Sequence, residues 1–203
     1  GAFSVARSPR RRLPYTWEMV HNGNGWIGVN TLTANRLAEE AIATGAIPEL
    51  SGYATILREQ RYAGDSRVDL LLRTLPAGGP AEPAAAVPAG GPDCYVEVKN
   101  VSLLGDDGSV AFPDAVTLRG RKHLTALEGV VRAGCRAVML FVVQRRDGRF
   151  FRPAWEIDPE YSRALRQAQE RGVEVLAYAA AVSPTAIVLD QALPVHLAPP
   201  RGA

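Results

Sequence analysis

Two carboxylates and a lysine stand at spacings that would place them on one face of a predicted sheet. Glu97 and Lys99 are two residues apart in a strand predicted over residues 93–101, and alternate residues of a strand project to the same face. Asp69 lies in the strand predicted before it, over residues 66–74. Pairing of these strands would bring Asp69 alongside Glu97. Because neighbouring carboxylates repel each other unless a cation lies between them, the pattern predicts a metal site.

The chemistry expected of this group is metal-assisted hydrolysis. Carboxylate oxygens, completed by water, suit Mg²⁺ or Mn²⁺. Such an ion lowers the pKa of a bound water, and Lys99 would orient that nucleophile or stabilise developing phosphate charge. Lys99 and Lys122 are the only lysines among the 23 basic residues, and lysine supplies a compact point charge that the planar arginine fork does not. The alternative is an ion-pair ladder of Asp69, Glu97 and Lys99 on an exposed sheet face.

The elements that must position these residues alternate between strands and helices. The Asn-Gly-Asn-Gly turn at residues 22–25 predicts a hairpin between strands at 15–20 and 26–29. Helices are predicted over residues 33–44, 114–133 and 158–171. Further strands are predicted over residues 53–60, 136–145, 173–180 and 186–189. This order predicts an α/β fold with a mixed central sheet flanked by helices.

Composition narrows the class of protein. The 203 residues suit one domain with a small appendage, and residues 76–92, almost entirely Ala, Gly and Pro, predict a flexible loop inserted between two strands. No apolar run is long enough to span a bilayer and no signal segment begins the chain, so we expect no membrane partner and a cytoplasmic location. Cys94 and Cys135 are too few for a disulfide framework and are expected to be reduced core thiols.

Positive charge is clustered although the net charge is only +2. One group lies near the start of the chain, a second at the start of the long predicted helix, and a third after the apolar strand. Each group alone is typical of a solvated surface. Three groups around a carboxylate-bearing core would form a phosphate-binding surface. The residues predicted to contact DNA are Arg10, Arg11, Arg12, Arg119, Arg121, Lys122, His123 and Arg145.

The motif residues resemble those of the PD-(D/E)XK nuclease superfamily, with Asp69 and Glu97-Val98-Lys99 in the motif positions. Nearly the whole chain is similar to the sugar fermentation stimulation protein family, SfsA. The matching stretches are residues 13–18, 29–32, 34–37, 40–42, 49–53, 66–69, 94–99, 112–117 and 119–124. The resemblance implies an N-terminal OB-type barrel and a nuclease-like domain. It divides this chain into a barrel remnant at residues 1–30 and a nuclease-like domain at residues 31–203.

The same resemblance implies a set of site residues. Asp69, Glu97 and Val98 would form the metal site, and Asp69, Glu97, Lys99 and Glu40 would be catalytic. Glu40 is chosen from the predicted helix because the family pattern places a Glu directly before Ala-Ile, and Glu39 remains the runner-up. Residues adjacent on a helix face about 100° apart, so only one of the two can face the metal.

Two further polar residues each have more than one predicted role. His123 is interpreted as a phosphate contact or a general acid, against the alternative of a solvent-facing helix residue. Gln144 would either position water or be a surface amide at a strand end.

The function predicted is non-specific binding of duplex or single-stranded DNA, which the resemblance links to regulation of sugar use, notably maltose. The alternative is an active Mg²⁺- or Mn²⁺-dependent nuclease; a regulatory DNA binder with inert carboxylates and a protein-interaction module are the other hypotheses. No helix-turn-helix pattern stands out. A homodimer is left open.

Overall fold

A computed structural model of the protein describes residues 1–5, 12–62, 66–74 and 91–200. Its helices are α1 (Ala34–Ala43), α2 (Leu118–Arg132) and α3 (Pro159–Glu170). The first six strands are β1 (Ala2–Val5), β2 (Tyr15–His21), β3 (Trp26–Gly28), β4 (Thr55–Tyr62), β5 (Ser66–Arg73) and β6 (Cys94–Val101). The remaining strands are β7 (Leu103–Leu104), β8 (Ser109–Phe112), β9 (Arg136–Val143), β10 (Phe150–Pro153), β11 (Glu174–Val182) and β12 (Ile187–Ala192).

Six strands form a mixed central sheet in the order β12-β11-β9-β6-β5-β4. Strands β6, β9 and β11 are parallel, whereas β12, β5 and β4 are added antiparallel at the two sides. Strand β9 is buried at every position except its first, as expected for a parallel strand covered on both faces. The predicted mixed α/β fold is confirmed, while membership of the PD-(D/E)XK superfamily stays a prediction.

Helices cover both faces of this sheet, and the alternation along β9 assigns each face its own core. Val138, Leu140 and Val142 pack on the side of α1. Met139 and Phe141 pack on the side of α2 and α3. On the neighbouring strand β6, Val96 and Val98 join the α1 side. Alternation then directs Glu97 and Lys99 toward the α2 side.

The N-terminal strands form a separate sheet in the order β1-β2-β3. The predicted hairpin is confirmed, since β2 and β3 pair antiparallel with Met19 opposite Gly28. The backbone N–H of Gly28 donates to the carbonyl of Gln144 at 2.8 Å, which ties this sheet to the end of β9. That the sheet is the remnant of a barrel stays a prediction, as does the division at residue 30.

Two local features differ from the sequence prediction. Helix α2 begins at Leu118 rather than at residue 114, because the Thr117 side chain accepts a hydrogen bond from Gly120 N–H and forms the cap. Strands β7, β8 and β10 form a small sheet that was not predicted. These strands are two to four residues long, too short for a periodic pattern to show.

Three other sequence predictions concern the two cysteines, the inserted loop and the absence of a membrane-spanning segment. Cys94 and Cys135 form no disulfide. Most of the predicted inserted loop lies outside the described residues, which include only its last two positions. Within the described ranges, no helix is both long and apolar enough to cross a membrane.

Asp158 connects the starts of helices α2 and α3, so its substitution should lower the stability of the protein. Its side chain is 1% exposed, with Oδ1 accepting from Tyr161 N–H at 2.9 Å and Oδ2 from Thr117 N–H at 2.8 Å. Asp158→Ala removes a helix cap and leaves a buried donor unpaired, so we expect a loss of about 2–4 kcal/mol in the free energy of unfolding, measured by urea denaturation. Glu170→Ala, which removes only an exposed ion pair with Arg166, should cost less than about 1 kcal/mol. Equal losses in the two variants would contradict this role.

Candidate active site

Asp69 lies where strands β5 and β6 separate. Backbone pairing between these strands extends from Leu72 opposite Cys94 to Leu70 opposite Val96. Beyond that point, the Val98 N–H donates to Asp69 Oδ2 at 2.8 Å. The Asp69 carboxylate therefore takes the place of a backbone acceptor. Asn35 of α1 donates to the other oxygen, Oδ1, at 2.8 Å, so two neutral donors fix the orientation of the carboxylate.

Glu97 is the most deeply buried charged group of the site, with only 2% of its surface exposed. Lys99 Nζ donates to its Oε1 at 2.6 Å. His123 of α2 contacts the same oxygen through Nδ1. The second oxygen, Oε2, is buried and has no hydrogen-bond partner among the described residues. A cation or a water would be stabilised beside a buried carboxylate oxygen that lacks a hydrogen-bond donor.

The two carboxylates have opposite pKa shifts. Burial, followed by the negative charge of Glu97, raises the pKa of Asp69, and the N–H donors of Val98 and Asn35 only partly offset this. Burial also acts to raise the pKa of Glu97, but the hydrogen bond from His123 and the charge of Lys99 outweigh it, so the pKa is lowered. The site thus holds one ionised carboxylate and one that retains its proton more readily, the pattern expected when two acids share a site.

His123 supports Glu97 rather than facing solvent, since only 13% of its side chain is exposed. The Arg119 Nε donates to His123 Nε2 at 3.3 Å. Since Nε2 accepts, the ring is the tautomer that carries its proton on Nδ1, where it faces Glu97. The solvent-facing alternative is therefore wrong. Arg119 itself is exposed, which leaves the other nitrogens of its guanidinium available at the entrance to the site.

Two tyrosine hydroxyls near this group were not predicted from the sequence. The hydroxyls of Tyr62 and Tyr161 are buried and have no hydrogen-bond partner in the described part of the chain. The charge of Glu97 contributes to a raised pKa of both, after burial. The Tyr62 ring lies 5.5 Å from that of Tyr95, which flanks Glu97 on β6. Nothing in their sequence spacing signals these positions, because each is brought in by the packing of a different element.

The helix residue that contacts Asp69 is Asn35, and neither predicted glutamate does so. Glu40 is half exposed and pairs with Arg36 at 2.9 Å. Glu39 pairs with Arg58 of β4. With about 100° between successive helix residues, Glu39 lies about 40° from Asn35 and Glu40 about 140°. Of the two alternatives, Glu39 therefore lies on the helix face that is turned toward Asp69.

The predicted DNA-contacting residues are placed in different ways. Arg10 and Arg11 lie outside the described residues. The side chains of Arg12, Arg119 and Lys122 are exposed without a carboxylate partner in the described part of the chain.

Two other predicted contacts are already engaged within the protein. Arg121 pairs with Glu160 at 3.1 Å. Arg145 is only 7% exposed and donates to both oxygens of Asp147, at 2.6 and 2.8 Å, and to the Ser102 carbonyl at 2.7 Å. This guanidinium is a structural cation rather than one available to phosphate.

Gln144 is a buried junction, which neither of its predicted roles describes. Its exposed fraction is 0%. Nε2 donates to the Asn30 carbonyl at 3.1 Å and to Asn100 Oδ1 at 2.6 Å, and Oε1 accepts from Thr33 Oγ1 at 3.1 Å. The amide therefore joins the segment between β3 and α1 to strand β6, one residue beyond Lys99.

The residues present fit a divalent cation with few protein ligands. The described residues contain no group of three or more His, Cys, Asp or Glu side chains positioned to hold a metal. Asp69 and Glu97 supply carboxylate oxygens, one of them unpartnered, while the apolar Val98 side chain leaves only its carbonyl as a ligand. One or two carboxylates with several waters is the coordination that Mg²⁺ accepts.

Comparison with known proteins identifies relatives along almost the whole chain. Residues 32–186 match the family described as "Sugar fermentation stimulation protein RE domain". A sugar fermentation stimulation protein homolog of Geotalea uraniireducens is 51% identical over 96% of this chain and 77% of its own length. The homolog of Geobacter sulfurreducens is 50% identical over 95% of this chain and 75% of its own length. The solved structure of Pyrococcus furiosus SfsA in complex with Ca²⁺ has a TM-score of 0.79 and 24% identity, and covers 96% of this chain and 76% of that one.

The coupling between the carboxylates can be measured in the metal-free protein. Glu97→Gln removes the charge that helps to raise the pKa of Asp69, so that pKa should fall toward its ordinary value of 3.8 yet remain above it, because burial is the larger cause. Folded wild-type Asp69 holds its proton more tightly than unfolded Asp69, so its contribution to stability falls as pH rises from about 4 through the raised pKa. That fall should be smaller in the variant.

Carbon-13 NMR of the Asp69 carboxyl, recorded against pH, measures this shift. Glu174→Gln is the control, because Glu174 pairs with Arg136 and is not among the groups that shift Asp69. An Asp69 pKa that is unchanged in Glu97→Gln would show that the two carboxylates are not coupled.

Proposed function

The chain belongs to the sugar fermentation stimulation protein family, and on that premise we propose that it binds DNA through the phosphate backbone and hydrolyses phosphodiester bonds at a divalent-metal centre. The observation that carries the proposal is the arrangement of Asp69, Glu97 and Lys99. A buried carboxylate, Glu97, and a half-buried one, Asp69, have opposed pKa shifts and lie on neighbouring strands, and a lysine ammonium lies 2.6 Å from Glu97. This combination of acids and a point cation is suited to phosphoryl chemistry.

Mg²⁺ or Mn²⁺ is the cofactor proposed, with Asp69, Glu97 and the Val98 carbonyl as its protein ligands. When bound, such an ion lowers the pKa of a coordinated water and neutralises charge on the phosphate. Oε2 of Glu97, which no described residue contacts by a hydrogen bond, supports this assignment. The P. furiosus relative was solved in complex with Ca²⁺, which is likewise a hard cation that takes oxygen ligands.

The chain's own residues would orient the reaction. Lys99 Nζ lies beside Glu97 and is only 16% exposed, so its positive charge acts in a setting where water screens it weakly. It is placed to hold a water nucleophile or to stabilise negative charge that develops on the phosphate. Asn35 and the Val98 N–H fix Asp69, while His123 fixes Glu97. Both carboxylates are therefore held in fixed orientations before substrate binds.

A DNA binder without hydrolysis is the second candidate, and one observation favours it. Lys99 and His123 both satisfy Glu97 Oε1 within the protein, so the charge of Glu97 is balanced without a metal. In that case Asp69, Glu97 and Lys99 form a structural ion-pair group. The regulatory role in sugar use that the sequence resemblance implies belongs with this candidate.

Substitution of Lys99 separates the two candidates. Lys99→Arg keeps the charge but replaces a compact ammonium with a planar fork, and Lys99→Ala removes the charge. If the protein hydrolyses DNA, both variants should lose cleavage by at least about 100-fold, while duplex affinity changes only a few-fold. Cleavage of supercoiled plasmid and of labelled single strands with Mg²⁺, Mn²⁺ or EDTA measures the effect.

Arg166→Lys is the control for this experiment, since Arg166 lies exposed on α3 and pairs with Glu170. It should cleave at the wild-type rate. Wild-type preparations that bind DNA yet cleave nothing with either metal would leave the second candidate. Undiminished cleavage by Lys99→Ala would assign the activity to a contaminating nuclease.

Metal binding can be measured separately, through its effect on the melting temperature of the protein. Because a ligand that binds only the folded state stabilises it by mass action, Mn²⁺ at 100 times its Kd should add about 2.7 kcal/mol, or roughly 5–10 °C in Tm. Glu97→Gln should lose most of that gain while folding normally, whereas Glu170→Gln on α3 should keep it. Calorimetry that finds equal Mn²⁺ affinity in wild type and Glu97→Gln would place the ion elsewhere.

A further inference from the structure

The β4–β5 hairpin carries two arginines directly opposite each other. Arg61 of β4 pairs in register with Arg67 of β5, so their side chains project from the same face of the hairpin. Both are exposed. Like charges at directly opposed positions destabilise an antiparallel pair, and neither arginine has an ion pair or hydrogen bond to a described residue. Stability of the hairpin does not explain this arrangement.

The absence of a counter-charge sets these arginines apart from their neighbours. Arg58, on the same strand as Arg61, pairs with Glu39. Arg73, on the same strand as Arg67, pairs with Asp93 at 3.3 Å. Across the described part of the chain most arginines are balanced in this way, including Arg36, Arg121, Arg145, Arg146, Arg152, Arg163 and Arg166. The paired guanidiniums of Arg61 and Arg67 are therefore a local concentration of unbalanced positive charge.

This charge borders the candidate active site. Arg67 is two residues from Asp69 on β5, a separation of about 7 Å along a strand. Tyr62 follows Arg61, and its ring packs against Tyr95 beside Glu97. Alternation along β5 places Arg67 on the same face as Asp69, so the two opposed arginines border the site from the side of that carboxylate.

A backbone distortion lies between the arginines and the regular part of the sheet. Glu59 has a φ of +51°, a left-handed conformation that costs a residue with a side chain about 1–2 kcal/mol. By register it stands opposite Asp69, and it is absent from the pairing that continues on either side of it. Strained backbone of this kind is concentrated at binding and catalytic sites. The distortion therefore lies directly beside Asp69, between that carboxylate and the two arginines.

We propose that Arg61 and Arg67 form a phosphate-binding clamp that holds a nucleic-acid backbone next to Asp69 and Glu97. The inference rests on the proposed function and extends it, because it assigns backbone recognition to a hairpin that lies outside the arginine groups seen in the sequence. Exposed Arg119 and Lys122 at the start of α2 would contact the same backbone from the side of His123. Guanidinium groups suit this task because their donors match phosphate oxygens in pairs.

Fluorescence anisotropy with a labelled 20-base-pair duplex of random sequence tests the clamp, in EDTA so that no cleavage occurs. Arg61→Gln/Arg67→Gln should bind at least ten-fold more weakly than wild type at low salt. The slope of log affinity against log salt should become shallower by about two, since each lost phosphate contact removes about 0.9. Arg163→Gln/Arg166→Gln on α3 removes the same net charge from exposed paired arginines, and should bind within two-fold of wild type.

A charge-reversed variant distinguishes binding from stability. Arg61→Glu would place a carboxylate opposite Arg67 and convert repulsion into an ion pair, so the Tm should stay equal to that of wild type or rise. DNA affinity should nevertheless fall at least as far as in the double Gln variant. A parallel fall in Tm and affinity would assign the arginines a structural role and overturn the clamp.

The outcomes separate this inference from the function on which it rests. Wild-type affinity and salt slope in both hairpin variants, with DNA still bound, would overturn the clamp and leave the proposed DNA binding standing. Failure of the wild type itself to bind duplex or single-stranded DNA would overturn both.

Discussion

Burial of two carboxylates side by side is the constraint on which the rest of the site depends. Glu97 is buried and Asp69 half-buried, so a negative charge on either is costly, and the charge of Glu97 adds to the cost of ionising Asp69. The two carboxylates are stabilised by different kinds of group. Asp69 receives neutral donors, from Asn35 and from a backbone N–H that strand separation makes available. Glu97 receives the ammonium of Lys99 and the ring of His123, both on a single oxygen.

The groups that contact the two carboxylates come from both sides of the central sheet. Asn35 reaches Asp69 from α1, and His123 reaches Glu97 from α2, although the two helices pack on opposite faces of the sheet. This is possible because β5 and β6 stop pairing at Leu70 and Val96, which opens a gap at the edge of the regular ladder. The site therefore lies at a place where the sheet is incomplete, and groups from both layers meet there.

The sequence specified the strand positions of the site better than its helical ones. Alternation along a strand is fixed at two residues, so Glu97 and Lys99 could be placed on one face without knowledge of the fold. A helix can rotate about its axis to suit its packing, and the residue that contacts Asp69 is Asn35 rather than Glu39 or Glu40. The apolar pattern identified the central strands, whereas β7, β8 and β10 were too short to show one. Ion pairing was likewise invisible, because partners such as Asp147 for Arg145 are set by tertiary contacts.

Gln144 connects the N-terminal sheet to β6, the strand that carries Lys99. Its amide group has one fixed plane, and both ends of it are committed: to Asn30 and Asn100 through nitrogen, and to Thr33 through oxygen. Its main-chain carbonyl holds Gly28 as well. A hinge at this junction would break several buried hydrogen bonds at once. The N-terminal sheet is thus coupled through hydrogen bonds to strand β6, and a displacement of that sheet would be transmitted to Asn100, one residue from Lys99.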